Sequence, residues 1–168
     1  MNLLEDVKAV NRISIIPTLL DVVCSAMGMG FAAVARVTDN QWIACAVRDE
    51  IEFGLKPGEE LKIETTICQE VRQVENPVVI DHVAVDPRYA DHISPKTYGY
   101  QSYISVPFVL HDGEFFGTLC AIDPKPAKIN NSKTVGMFNL FAELISFHLL
   151  SQWISWQIQR TNCQANWK

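Results

Sequence analysis

Between Asp81 and Tyr103 the chain gathers the side chains best equipped for chemistry: Tyr89, His92, Tyr98, Tyr100 and Tyr103, interleaved with Asp81, His82, Asp86 and Asp91. Aromatic bodies with polar tips suit a mostly apolar pocket in which a few hydrogen bonds orient a ligand. Tyr89, His92, Tyr98, Tyr100, Tyr103 and Asp86 are therefore candidate ligand contacts, together with Cys68 just upstream. Two harder chemistries compete with this reading. His82, His92 and the aspartates could form a metal cluster, but zinc needs three or four ligands in fixed geometry, and these histidines lie ten residues apart on a loop. Cys68 and a histidine could make a nucleophile and its base, since a helix N-terminus lowers a thiol pKa. Its place in an apolar stripe with Ile67, Val71 and Val74 points instead to a packed thiol. P-loop, GxGxxG, HExxH and GxSxG patterns are absent. No catalytic residue and no metal ligand is assigned.

The elements around this segment follow from periodicity. Residues 3–12 and roughly 14–27 read as helices, the second ending at Gly28-Met29-Gly30. Strands follow at about 31–38 and 41–49, joined through Thr38-Asp39-Asn40; Phe31, Ala33, Ala35 and Val37 share one face, and Ala32, Val34 and Arg36 the other. Residues 50–64 form a charged loop with a short edge strand at its end, and Thr65 or Thr66 caps a helix that stops at Pro77. Val78-Val79-Ile80 is a short strand, and 81–99 a long loop carrying short helices. His111-Asp112-Gly113 joins strands at about 100–110 and 114–122, a hairpin signal. The last helix runs from near Ser132 to about Arg160 with two apolar stripes. Val135, Phe138, Phe141, Ile145, His148 and Leu149 suit a sheet. Met137, Leu140, Leu144, Phe147, Ser151, Ile154 and Ile158 alternate steps of three and four, the seam of a homodimer. Trp153, Trp156 and Trp167 sit on the same tail. Segregated helices and hairpin-paired strands make the fold class α+β. The expected organisation is an N-terminal helix over 1–12, a domain over 13–150, and a helical extension over 151–168.

Composition narrows the function. At 168 residues and 48% hydrophobic the chain builds one full core. A net charge of −5 with scattered Lys and Arg argues against nucleic acid as partner. Arg36 and Arg48 are expected outward and solvated. Five cysteines without CxxC spacing, and an acidic N-terminus lacking a signal-like apolar run, point to a reduced, cytoplasmic protein. No run of about 18 uninterrupted apolar residues exists, so no membrane segment is expected.

Several ordered pieces carry a family resemblance. They are Gly30-Phe31-Ala32-Ala33-Val34-Ala35-Arg36-Val37, Pro77-Val78-Val79-Ile80-Asp81, Asp86-Pro87-Arg88-Tyr89, Ser105-Val106-Pro107 and Phe116-Gly117-Thr118-Leu119-Cys120-Ala121-Ile122-Asp123-Pro124. In this order the sequence resembles the GAF family over about 15–150, in the subgroup fused to bacterial histidine kinases and related to cyanobacterial bilin photoreceptors. The resemblance implies a central antiparallel sheet with terminal helices on one face, a ligand pocket on the other, and dimers that signal through the C-terminal helix. Bilin-binding relatives attach their tetrapyrrole to a cysteine after the loop corresponding to 81–99. This chain has no cysteine between Cys68 and Cys120. A bilin would therefore be held without the usual linkage, non-covalently or through Cys68. Small relatives also include a free-methionine-sulfoxide reductase dependent on several cysteines near the pocket, and the wide spacing of Cys24, Cys45, Cys68, Cys120 and Cys163 argues against that chemistry. The expectation is a non-catalytic sensor of a small molecule or cue. The alternatives are a bilin photosensor, a small Cys-dependent redox or hydrolytic enzyme, and a dimerisation scaffold with a filled pocket.

Overall fold

Asn2 starts the first helix, its Oδ1 accepting from the Leu4 N–H, and α1 runs Leu3–Asn11. The computed structural model describes residues 2–110 and 112–165; His111, the side chain of Cys163, and Trp167 lie outside the description. Helix α2 (Ile16–Met27) carries Pro17 in its first turn, where no N–H is needed, and ends at Gly28 in the left-handed conformation, φ 63°. Strands β1 (Phe31–Val37) and β2 (Trp42–Asp49) form the first hairpin, and β3 (Glu60–Leu61) is a short edge. Next come α3 (Cys68–Val74), β4 (Val78–Ile80) and α4 (Ile93–Tyr98). The second hairpin, β5 (Ser102–Val109) and β6 (Phe115–Asp123), leads to α5 (Ser132–Ala165).

The six strands make one antiparallel sheet in the order β3-β2-β1-β6-β5-β4. Alternation on β1 divides its two faces as expected. Ala32 and Val34, with Ile104, Val106, Leu119 and Ala121, meet α1, α2 and α5 through Val10, Leu20, Val23, Phe138 and Ile145. Phe31, Ala33, Ala35 and Val37 face α3 and the 81–100 segment. Register shifts at Val34/Ala35, so that Cys45 is an extra residue on β2; Cys45 and Ala46 turn to the helix face while Trp42 and Ala44 stay opposite. There β6 approaches closely. A Cβ on Gly117 would lie 1.8 Å from the Ala35 carbonyl oxygen, so only glycine fits.

Phe138, Ala142, Ile145 and Leu149 of α5 are buried on the sheet, each large one worth about 1.5–3 kcal/mol of burial. The helix rises about 51 Å. Its span Ser132–Thr161 reaches the length and hydropathy of a membrane-crossing helix, a property the run-length criterion missed. Only 22% of its most apolar window is buried against the domain. The Arg36 expectation is overturned: its side chain is 14% exposed, pairs with the buried Asp6 at 2.9 Å, and lies over the Phe116 ring at 4.8 Å. Arg48 is exposed as expected, paired with Asp21 and Glu50.

Candidate functional site

Thr65 and Thr66 do not cap α3. Their hydroxyls turn back to the carbonyls of Lys62 and Ile63 at 2.6 and 2.9 Å, making a 3₁₀ turn that delivers Cys68 onto the sheet at the first position of the helix. The Cys68 Sγ lies 3.3 Å from Tyr103 Oη, 3.4 Å from Thr118 Oγ1 and 3.8 Å from Ser105 Oγ. Ser105 faces Cys120 across β5 and β6, and the Cys120 thiol donates to the Ala33 carbonyl at 3.7 Å. The neighbouring Cys120 thiol is the largest cause lowering the Cys68 thiol to about 6, and the Thr118 and Tyr103 hydroxyls add to it against the cost of burial. Cys120 moves the opposite way, held well above the usual thiol range by the neighbouring Cys68 and by burial. Burial likewise keeps Tyr103 protonated. The first ionisation therefore belongs to Cys68, with the Tyr103 and Thr118 hydroxyls as donors.

Above this cluster is a cavity of about 40 Å³ lined by Phe31, Trp42, Phe53, Cys68, Ser94, Tyr98, Tyr100, Tyr103 and Cys120 among others. A water molecule's share of liquid is about 30 Å³, whereas pockets for metabolite-sized ligands run to roughly 300–1,000 Å³. The cavity as it stands admits only very small molecules. Trp42 is buried, and its Nε1 has no hydrogen-bond partner; with Asp6 Oδ1 it is the only such buried side-chain atom among the described residues. A larger groove of about 570 Å³ lies on the helix face, where α1, the β5–β6 hairpin end and the α5 tail meet, but its lining is mainly surface side chains such as Glu5, Arg12 and Trp156.

The roof is held in two ways. Tyr98 Oη lies 2.6 Å from Thr65 Oγ1 and its ring 5.9 Å from Phe53, while Tyr100 donates to Ser94 Oγ at 2.7 Å and stacks on Tyr103. From outside, Glu70 of α3 clamps the loop: Tyr89 Oη donates to Oε2 at 3.1 Å and His92 Nε2 lies 3.0 Å from Oε1. His92 also caps α4, its Nδ1 accepting from the Ser94 N–H at 3.0 Å, which places the ring proton on Nε2 toward Glu70. Burial first, and then the Glu70 charge, push the Tyr89 phenol up to about 12, so it remains a donor. Asp86 Oδ1 accepts from the Arg88 and Tyr89 N–H groups at 2.8 and 3.2 Å.

Of the candidate contacts, Cys68, Tyr98, Tyr100 and Tyr103 line the cavity. Tyr89, His92 and Asp86 instead fasten the roof from its outer side. Sequence reasoning missed Trp42, Phe53 and Cys120. Cys120 alternates with Thr118 and Ile122 on a recognised strand, so its face was readable once the hairpin register was known. Cys68 is surrounded by hydroxyls and a thiol, whereas the imidazole of His92 is engaged by Glu70 and Ser94. Among the described residues no three His, Cys, Asp or Glu side chains converge as a metal site; Asp81 accepts from the Ile129 and Asn130 N–H groups and Asp91 pairs with Lys96.

An antiparallel sheet with helices on one face and a roofed cavity on the other defines an α+β domain of the ligand-pocket type. The sequence matches the family model described as GAF domain over residues 11–149, and the chain belongs to the GAF family. Solved structures share the fold. The blue-light-absorbing PixJ GAF domain of Thermosynechococcus elongatus superposes with a TM-score of 0.68 at 14% identity, covering 94% of this chain and 93% of that one. The GAF domain of an Acinetobacter phosphoenolpyruvate-protein phosphotransferase gives 0.63 at 14%, covering 94% and 99%. The free methionine-R-sulfoxide reductase of Neisseria meningitidis gives 0.60 at 18%, covering 80% and 77%. No curated protein matches the sequence.

Proposed function

We propose that this domain is a non-catalytic sensor in which a small polar molecule binds between Trp42, the Cys68 cluster and the Tyr98–Tyr100 roof, with α5 as the output. The carrying observation is the Trp42 indole N–H: a buried donor on a cavity wall without a bonded acceptor, at a cost of about 1–3 kcal/mol that a ligand oxygen or nitrogen would relieve. Anything larger than a few atoms requires the roof to lift. Since a ligand shifts an equilibrium only through differential affinity, the clamped and lifted roofs are the two states it would distinguish. Membership in a family of generally sensory domains supports this reading.

The output would pass through a parallel homodimer of α5, joined at Met137, Leu140, Leu144, Phe147, Ile154 and Ile158, to a histidine kinase or similar cytoplasmic partner. Leu140 at 61% and Phe147 at 64% exposure support the seam, because a lone chain leaves them in water. A bilin would need the roof to lift fully. The cavity is far below a tetrapyrrole's size, and Cys68 lies at its floor beneath the aromatic roof.

Native mass spectrometry of protein purified from its own host, beside Trp42→Phe, tests the pocket. A small adduct on the wild type that is lost from the variant is expected. Bare chain mass in the wild type, or an adduct indifferent to Trp42→Phe, overturns this binding site.

A further inference from the structure

We propose that Cys68 and Cys120 form a reversible redox pair, closed to a disulfide by a hydroperoxide small enough to enter the cavity. The two thiols are fifty-two residues apart in sequence and both line the same cavity. Their placement is triangulated by the sheet: Ser105, directly across from Cys120, has its Oγ 3.8 Å from the Cys68 sulfur, and Thr118, two residues before Cys120 on the same face, reaches that sulfur at 3.4 Å. α3 thus lays one thiol over the strand that carries the other.

The surroundings fit oxidation in both size and polarity. A space of about 40 Å³ excludes bulky substrates and accepts a molecule of hydrogen peroxide's dimensions. The Tyr103 and Thr118 hydroxyls lie against the reacting sulfur, so they favour its thiolate and can hydrogen-bond the departing oxygen. The Cys24 and Cys45 thiols, on the helix face, are pushed up by burial to about 11 and about 12, which leaves them poorly nucleophilic.

The reaction balances in two displacements. The Cys68 thiolate attacks one peroxide oxygen, the O–O bond breaks, and the departing hydroxide takes up the proton released by Cys68, giving water and a Cys68 sulfenic acid. The Cys120 sulfur then attacks Cys68 Sγ; the S–S bond forms, the S–O bond breaks, and the hydroxyl leaves as water with the Cys120 proton. Two thiols are oxidised by two electrons and one peroxide is reduced to two waters. The bond would staple α3 to β6 beneath the roof, whatever ligand the cavity takes.

The test uses the full chain, reduced, freed of reductant and then exposed to hydrogen peroxide. Intact mass should fall by two hydrogens, peptide mapping should join the Cys68 and Cys120 peptides within one chain, and dithiothreitol should reverse both changes. Cys120→Ser should instead accumulate one oxygen at Cys68, trapped by a 1,3-diketone reagent. Unchanged mass in folded protein whose denatured form reacts, oxygen retained on wild-type Cys68 without a link, or a link that omits either cysteine overturns the proposal. The wild-type map stands even if the variant does not fold, and none of these outcomes depends on the Trp42 adduct.

Discussion

Glu70→Ala should loosen the cavity roof without unfolding the domain. Glu70 is the single anchor on α3 for both Tyr89, at 3.1 Å, and His92, at 3.0 Å, with the Arg88 guanidinium farther off at 3.9 Å. A hydrogen bond to a charged group contributes about 1.5–3 kcal/mol when well shielded. The Glu70 side chain is 35% exposed, so each of the two bonds belongs at or below the bottom of that range. Together they give about 2–3 kcal/mol. At about 1.4 kcal/mol per tenfold, amide exchange governed by roof opening should accelerate roughly 30- to 150-fold over residues 86–98. Exchange in β1, β6 and the buried half of α5 should hold steady, because β1 and β6 are central strands paired on both sides and α5 packs on the opposite face. Hydrogen exchange read by mass spectrometry measures both regions in one experiment. Glu70→Gln, which keeps one acceptor oxygen, should fall between. Unchanged exchange over 86–98 would show that the clamp carries no energy, and equal acceleration everywhere would show that the roof and core open as one unit; either result refutes the reasoning.

Three further outcomes are expected. The Cys68 thiol is lowered to about 6, so thiolate ultraviolet absorbance should grow as pH rises through that value and vanish in Cys68→Ser; a transition near the ordinary thiol range would contradict the donor cluster. Arg36→Met should cost about 3–5 kcal/mol near neutral pH by leaving the buried Asp6 carboxylate unpaired, whereas Asp6→Asn should cost far less, as measured by urea denaturation. Burial already raises the Asp6 pKa above its ordinary value and loss of Arg36 raises it further; the folded state then binds the proton more tightly, so the Arg36→Met deficit should shrink as pH falls toward about 4. Ile154→Lys should convert dimers to monomers in sedimentation velocity, and an unchanged profile would reject the α5 seam.

The sequence by itself determined the elements and the face each presents. Alternation on Phe31–Val37, the Asp112-Gly113 turn and the three-four stripe through Phe138 and Ile145 are local patterns, and a local pattern needs no neighbour to be read. It also located the aromatic segment over the cavity. Only the tertiary structure decided which aromatics line the space and which fasten its roof. Tyr89 and Tyr98 are alike in type, and the difference between them is the position of Glu70 beneath one and Thr65 beside the other. The same holds for the thiols. Chain separation suggested dispersed cysteines, but antiparallel pairing of β5 and β6, with α3 laid across them, put Cys68 and Cys120 on the lining of one cavity. Register at the Cys45 bulge kept Trp42 on that face. Such contacts depend on how strands slide and helices lie, and those are settled by packing over the whole core, which no window along the chain contains.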